Sequence, residues 1–431
     1  MCIAQKRSSH ESKKIVSNIG WLFSDLVVRI LLSLFVGIWL ARYLGPQQYG
    51  QLSFALALTT IFAGFVPLGL QSIVIRNINK DPHKTELILG TSFFLCVFTG
   101  VLSYLLLIGI TDYVRPNEQL IKVLVSICGL TLLFKCTDVI KYWFESQVTS
   151  KYVVWVQNTS LILSATLKVI LIVLQCDIVS FVWVSLVEAL VSSILLLVIY
   201  LKKSEGISKW TFSFQEAKLL IRESWYLLFS SFAVIVNLNI DKIFLGKISG
   251  DHELGIYSVA SNLSQVWYSI PLILGASLAP SLTKLFSDNK PLYEHRVNKV
   301  FQYLFWTATI VSIIVTFFSD FFIAFIFGNG YKESAEILII QIYITIFLFH
   351  ISFRKRLLII EGKSFYILYL SLSMLITNIL LNLYLIPLFN AKGAAYSSLI
   401  SWILNALFFP LFFQSTRKHP MVFFLTIFTR K

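Results

Sequence analysis

The sequence predicts an all-α membrane protein of about twelve transmembrane helices in two six-helix lobes, related by a pseudo-twofold axis along the membrane normal. Three observations predict it. The first is composition: mean hydropathy is +0.77 over 431 residues, with 57% hydrophobic and 13% charged residues. Twelve helices of roughly 20 apolar residues use a little over half such a chain and leave no stretch able to bury a soluble core. The second is charge. Seven segments outside the apolar stretches hold four, three, two, five, four, four and four lysines and arginines, and the six segments between them hold at most one each, 26 against 5. That alternation is the positive-inside signature and puts both termini in the cytoplasm. The third is an internal repeat, described below.

The helices follow from hydropathy in chain order. In the first half they span 17–40, 51–75, 87–111, 119–142, 153–175 and 178–200. In the second half they span 224–246, 256–283, 299–326, 334–353, 365–387 and 393–414. Helices are required because an open strand edge finds no partner in lipid, and the ten-residue alternation of a closed barrel is missing. The expected organisation is an N-terminal lobe at 1–200, a cytoplasmic linker at 201–222 and a C-terminal lobe at 223–431. Phe212, Phe214, Leu219 and Leu220 mix in the linker with Lys209, Lys218 and Arg222, which suggests an amphipathic segment on the inner membrane surface.

Gly45-Pro-Gln-Gln-Tyr-Gly50 aligns with Gly250-Asp-His-Glu-Leu-Gly255 at an offset of 205 residues, and Ser53 then meets Ser258 and Ala55 meets Ala260. With six helices per half, both halves enter the membrane from the same side. Such parallel repeats allow two bundles to rock about a central cleft. Pro271 and Pro280 flank Gly275 in the eighth helix, and each removes a backbone donor, so a kink is expected there.

A charge at mid-bilayer costs on the order of 3 kcal/mol on insertion scales, so depth selects the informative residues. Arg29 lies mid-way along the first helix with Asp25 on the same face. Lys168 lies in the fifth helix, Glu188 in the sixth, and Lys135 and Asp138 in the fourth. Asp241 and Lys242 approach the outer end of the seventh, one turn beyond Asn237, and Asn378 and Asn382 form a polar face on the eleventh. Lys122, Lys141 and Arg354 stand near helix ends, where snorkelling to the interface is expected. Interhelical ion pairs would account for single members of the deep set. Six of them, Arg29, Lys135, Lys168, Asp25, Asp138 and Glu188, exceed what packing requires. A water-filled cationic cavity accounts for the set, and such a cavity attracts phosphate.

The chain lacks a phosphate-binding P-loop, a serine-hydrolase elbow and zinc-ligand spacing. No cofactor and no metal site are expected. Cys2, Cys96, Cys128, Cys136 and Cys176 form neither a disulfide framework nor a metal pair. The first apolar stretch holds Asp25 and Arg29 and is read as a retained helix, not a signal peptide. The net charge of +14 is spread over short loops, which argues against nucleic acid as a partner. Without a nucleotide site, transport would draw on an ion or substrate gradient or on membrane potential. A membrane carboxylate such as Asp25, Asp138, Glu188 or Asp241 would couple H⁺ or Na⁺ or line the cavity.

The segment Ala41-Arg-Tyr-Leu-Gly-Pro-Gln-Gln-Tyr-Gly-Gln-Leu-Ser-Phe-Ala55, continuing to Gly69-Leu70 and Arg76, resembles the opening of Wzx-type O-antigen flippases. These form the polysaccharide-exporter branch of the multidrug/oligosaccharidyl-lipid/polysaccharide superfamily. Asp241-Lys242 before the Gly250–Gly255 loop is similar to that family's second half. The resemblance covers nearly the whole chain and implies two lobes around a central cavity. It also implies movement of undecaprenyl-diphosphate-linked oligosaccharide across the bacterial inner membrane, with polysaccharide assembly proteins as possible partners. Arg29 and Asp25 match the charged first helix that lines the cavity in such proteins. The expectation is a flippase, not an enzyme, in which Arg29, Lys135 and Lys168 hold the diphosphate. A cation-coupled multidrug exporter of the same superfamily and a membrane polysaccharide polymerase are the alternatives. The first should have few buried cations. The second needs a long outer loop, and the loops here are short.

Overall fold

The computed structural model describes residues 2–204, 206–414 and 417, with side chains described at these positions except 2–19, 22, 23 and 276. The basic residues expected before Ile15, Cys2 and the segment from 418 onward lie outside the described side chains. Among the described residues the chain is helical, and nine helices are long and apolar enough to cross a membrane. They become ten when Asp251–Gly275 and Ser277–Asp288, bent by 42°, are taken as one crossing. Two of the nine, Ser24–Phe65 and Phe365–Phe412, are about twice the length a bilayer needs. The first is interrupted at Gly45 (φ 69°, ψ 172°) and the second at Asn390 (φ 48°, ψ −128°). Divided at these breaks they give the twelve crossings that hydropathy predicts. The protein is a multi-pass membrane protein.

Two compact units make up the chain. One consists of Met1–Tyr43 with Leu58–Phe232, the other of Leu44–Ala57 with Ala233–Lys431.

The first unit takes most of α1 (Cys2–Phe65), then α2 (Gln71–Lys80), α3 (Thr85–Val114), α4 (Gln119–Phe134), α5 (Asp138–Ser146), α6 (Lys151–Val173) and α7 (Ile178–Lys203), and the start of α8 (Phe214–Ile248). Helix α4 packs on both α3 and α7, and α6 packs on α7. Lipid offers no hydrophobic drive between helices, so close approach through small residues must supply the attraction. Helix α3 buries Ser92, Cys96, Gly100 and Ser103 along one stripe. A Cβ at Gly100 would stand 3.0 Å from the Leu132 carbonyl of α4, so a large residue there would force the pair apart. The other face of α3 exposes Phe94, Phe98, Leu102 and Leu105, spaced four, four and three residues apart, as a lipid-facing stripe requires.

The second crossing departs from the single run expected at 51–75. It breaks after Phe65 and resumes as α2. Pro67 has no N–H for the helix ladder, and Leu68 and Gly69 take positive φ. The carbonyl of Val66, freed by the break, accepts from Thr99 Oγ1 at 2.8 Å inside the unit. Past α7, residues 207–209 make one 3₁₀ turn, and Trp210 Nε1 donates to Tyr200 Oη at 3.0 Å. Phe212, Phe214 and Leu219 remain exposed, but Leu220, expected on the same surface, is buried, because α8 already begins at Phe214 and turns that position inward.

The second unit holds the rest of α8, then α9 (Asp251–Gln265), α10 (Ser269–Asp288), α11 (Lys290–Phe327), α12 (Ser334–Ile342), α13 (Ile344–Ile360) and α14 (Phe365–Ile403). Helix α13 contacts α10, α11 and α14. Around it Phe301, Leu304, Ala308, Phe349, Phe353 and Trp402 form the apolar core, with Phe301 edge-on to Phe353 at 5.0 Å. The crossing that contains Pro271 and Pro280 tightens to a 3₁₀ turn at Val266–Tyr268, ahead of the donor that Pro271 lacks. Beyond α14 a π-turn at Leu404–Phe408 widens the helix.

The repeated glycines sit in matching conformations. Gly45 and Gly250 both have positive φ with extended ψ (69°/172° and 89°/178°), and each starts a helix. A Cβ on Gly50 would overlap the main-chain carbonyl of Asp251, and one on Gly255 would overlap that of Pro46. Residues 46 and 251, and 50 and 255, are the pairs that the 205-residue offset equates, so the helix starts touch reciprocally through backbone. Tyr49 stands beside this crossing, accepting from Asn262 Nδ2 at 3.0 Å and lying edge-on to Tyr331.

Candidate functional site

Each deep charge of the first unit has a local environment of its own. On α1, Arg29 and Asp25 pair at 3.2 Å, as an i, i+4 spacing allows. The same Arg29 Nη2 donates to Gln157 Oε1 of α6 at 3.1 Å, tying the two helices. All its described bonds run through Nη2. Nη1 and Nε are left without a described partner, and the side chain is 42% exposed. One arm of the guanidinium is therefore fixed, and the other can take a bidentate oxyanion.

Lys135 and Asp138 flank the 3₁₀ turn between α4 and α5 and pair at 3.6 Å. Asp138 pairs more closely with Lys141, at 2.7 Å. The Lys141 ammonium therefore turns inward to a carboxylate instead of snorkelling, and one carboxylate serves two lysines. Lys168 on α6 makes no ion pair among the described residues. The carboxylate acting on it electrostatically is Glu188, on the adjoining α7. Arg29, Lys135 and Lys168 thus occupy separate local groups, with no described hydrogen bond or ion pair joining them.

Asp241 belongs to the second unit and is 3% exposed. Its neighbours are neutral donors. Tyr257 Oη donates to one carboxylate oxygen at 2.8 Å, Ser398 Oγ to the same oxygen, and Asn382 Nδ2 to the other at 2.6 Å. Asn382 Nδ2 also reaches Asn378 Oδ1 at 2.9 Å. Lys242, next in sequence, bonds instead to Asn262 Oδ1 at 3.4 Å. No described salt bridge reaches Asp241: its direct partners are hydrogen-bond donors, and Lys242 acts on it only electrostatically. Oxygen acceptors are at hand, because Asn382 Oδ1 and Asn237 Oδ1 are buried without a hydrogen-bond partner. Asn237, Asp241, Ser261, Gln341 and Ser398 line one small polar cavity. A carboxylate among amide and hydroxyl oxygens suits a proton or a hard, oxygen-bound cation. The sequence marks Asp241, Asn237, Asn378 and Asn382 separately, and α8 and α14 bring all but Asn237 into one hydrogen-bonded group.

Arg354 differs from its sequence expectation. It does not snorkel: it is 1% exposed. Its Nη1 donates to the carbonyls of Asn405 and Ala406 at 3.0 and 3.2 Å, and its Nη2 to Asn405 Oδ1 at 2.7 Å. These acceptors lie in the π-turn that follows α14, where widening leaves carbonyls free. The signal was readable: Leu357-Leu358-Ile359-Ile360 continue the apolar helix past Arg354-Lys355-Arg356, so the triplet is not at a helix end.

Comparison with known proteins agrees with this architecture. The family model described as polysaccharide biosynthesis protein matches residues 15–286, and the model named MatE matches residues 227–384. A Shigella flexneri protein named for O-antigen transport is 26% identical over 417 residues, covering 91% of this chain and 96% of that protein. The capsular polysaccharide biosynthesis protein CapF of Staphylococcus aureus is 22% identical over 415 residues, covering 93% and 99%. An inward-facing multidrug resistance MATE family transporter of the MOP superfamily superposes with a TM-score of 0.73 at 14% identity, covering 93% of this chain and 96% of that one. The lipid II flippase MurJ in an inward closed conformation superposes with a TM-score of 0.70 at 15% identity, covering 96% and 91%. At these identities the solved structures establish the fold, that of MOP superfamily transporters. The family match spans well over half the chain, and the protein belongs to the polysaccharide biosynthesis protein family.

Proposed function

We propose that this protein flips an undecaprenyl-diphosphate-linked oligosaccharide, an O-antigen or similar repeat unit, from the inner to the outer leaflet of the bacterial cytoplasmic membrane. The observation that carries the reading is Arg29. It is a guanidinium in the first apolar crossing, held on one side by Asp25 and Gln157, with no described partner at Nη1 or Nε. Retaining such a group in lipid is costly, and a passing diphosphate repays the cost. The names of the relatives, O-antigen transport and capsular polysaccharide biosynthesis, support the substrate class.

In this reading Arg29 grips the diphosphate, with Lys168 and Lys135 supplying further positive charge. Asp25 orients Arg29, Asp138 pairs with Lys135, and Glu188 acts on Lys168 electrostatically without a described ion pair. The sugar crosses by alternating access while the polyprenyl chain stays in lipid. The substrate crosses chemically unchanged, so no catalytic group is needed. Asp241 is the coupling site, taking a proton or Na⁺ in one state and releasing it in the other. Both termini lie in the cytoplasm, beside the proteins that assemble polysaccharide.

The test is reconstitution in proteoliposomes loaded with lipid-linked oligosaccharide, with transfer read by an enzyme confined to one face. Transfer by the native protein, and its loss in well-inserted Arg29→Gln, supports the proposal. A second reading, a cation-coupled multidrug exporter, draws on the MatE match and the MATE-like fold. Efflux of a cationic dye with no transfer of lipid-linked sugar would favour it.

A further inference from the structure

We propose that Lys151, Tyr152 and Lys203 bind the phosphate of an anionic phospholipid in the cytoplasmic leaflet, at the end of the first unit where α6 begins and α7 stops. The site is independent of the flippase reading above. Lys151 is the first residue of α6 and Lys203 the last of α7, and the two helices pack on each other. Their ammonium groups converge on one ring: Lys151 Nζ lies 5.0 Å and Lys203 Nζ 5.3 Å from the centroid of Tyr152. Both lysines also act on the phenol oxygen. The two cations therefore stand within about 10 Å of each other, where like charges repel. A neutral ring and hydroxyl attract both of them and cancel neither charge. Among the described residues neither lysine has an ion-pair partner, and the first turn of α6 holds no acidic residue. The helix dipole accounts for Lys203, at a C-terminus, but opposes Lys151, at an N-terminus.

The ring is fixed from inside the unit. It lies 5.6 Å from Phe144, which is buried, and Phe144 lies 4.9 Å from Trp143, itself edge-on to Tyr200 at 5.2 Å. The two lysines therefore rest on a packed aromatic frame and not on a mobile loop. The frame continues through Trp210, Phe93 and Phe94 to Phe212 and Phe214, both exposed. Tryptophan and tyrosine gather at the depth of lipid headgroups, and the exposed phenylalanines offer apolar surface to acyl chains. The charge alternation of the loops puts both the Lys141–Tyr152 and the Leu201–Arg222 segments on the cytoplasmic side, where the leaflet carries negative charge. One phosphate between the two ammonium groups would relieve their repulsion and accept charge-assisted bonds from each. Other cations assigned to this side are already neutralised: Arg76 pairs with Glu223, and Lys84 with Asp81. A phosphate that carries acyl chains fits both the cations and the apolar surface beside them.

The experiment titrates the purified full-length protein in neutral detergent with phosphatidylglycerol, with inorganic phosphate and farnesyl diphosphate as comparators. Binding is read as ligand-dependent thermal stabilisation. Lys151 and Lys203 are exposed, so replacing both by Gln removes the charges without opening the core. Phosphatidylglycerol should bind the double variant Lys151→Gln, Lys203→Gln ~10-fold more weakly than the native protein, with Lys151→Arg, Lys203→Arg close to native. Lys290→Gln, at the exposed start of α11, is the control and should bind like the native protein. Native affinity in the double Gln variant overturns the site. An equal loss in Lys290→Gln overturns it too, because the attraction would then belong to the whole basic surface. Equal binding of inorganic phosphate overturns the lipid and leaves a free-anion site. Tighter binding of farnesyl diphosphate, with the same dependence on both lysines, overturns the phospholipid in favour of a polyprenyl diphosphate.

Discussion

Gly50 lies against the main-chain carbonyl of Asp251, and Gly255 lies in the same way against that of Pro46. The two contacts exchange under the 205-residue offset that aligns the halves of the sequence. Each glycine lies five residues beyond one with positive φ, Gly45 or Gly250, at which its helix begins, so the same local rule is used twice. Neither position has room for a side chain.

Gly50→Ala and Gly255→Ala should therefore each lower stability by ~1–3 kcal/mol, because a methyl must push one backbone off the other. Gly109, with nothing within 4 Å of an added Cβ, is the matched control, and Gly109→Ala should be close to neutral. Denaturation of the purified protein in detergent measures all three. Equal stability of the Gly50 and Gly109 variants would rule the contact out.

Asp241 predicts two separable outcomes. Asp241→Asn keeps the size of the side chain and should insert normally while cutting transport at least ~10-fold and abolishing its dependence on the coupling ion. Asp241→Leu should in addition destabilise, because the Tyr257, Ser398 and Asn382 donors lose their acceptor inside the bundle, at ~1–3 kcal/mol for each group stranded. Flux assays at varied Na⁺ and pH, beside melting curves, separate the two effects. Full ion dependence in Asp241→Asn would remove Asp241 from coupling.

Arg29→Lys should retain more transport than Arg29→Gln, since it keeps the charge but loses the planar fork. Gln157→Ala should fall between native and Arg29→Gln: it frees Arg29 from α6 without removing the guanidinium. Initial rates of lipid-linked sugar transfer give the order. Native rates in Arg29→Gln would show that this side chain only ties helices.

Asn405 joins three elements, accepting from Arg354 through both its carbonyl and its side chain and donating to the Leu370 carbonyl. Asn405→Ala should destabilise by ~2–4 kcal/mol, since it strands buried donors on a charged partner. The loss should appear in equilibrium unfolding of the second unit's tryptophans. A change under ~0.5 kcal/mol would mean that the Asn405 main-chain carbonyl alone suffices.

Hydropathy placed the crossings because each needs a long apolar run, and the loop charges ordered them. It did not see the break between Phe65 and Gln71, because Val66, Leu68 and Leu70 are as apolar as the helix they interrupt. Pro67 with Gly69 was the legible cue. For the site, Arg29 with Asp25 was legible because i, i+4 spacing fixes their contact. The Asn382–Asp241 bond was not, because it joins residues 141 apart and depends on how α14 packs. Arg354 was misread by nearness to a loop, although the four apolar residues after the triplet extend the helix beyond it.

A contact that maps onto itself when the two halves are exchanged is the kind of patch a twofold dimer uses. A six-helix ancestor with glycine at both places would have clasped its own copy through these helix starts before any gene fusion. Within the present chain the two halves differ in their charges, Arg29 in one and Asp241 in the other, while the clasp admits only the smallest residue on each side.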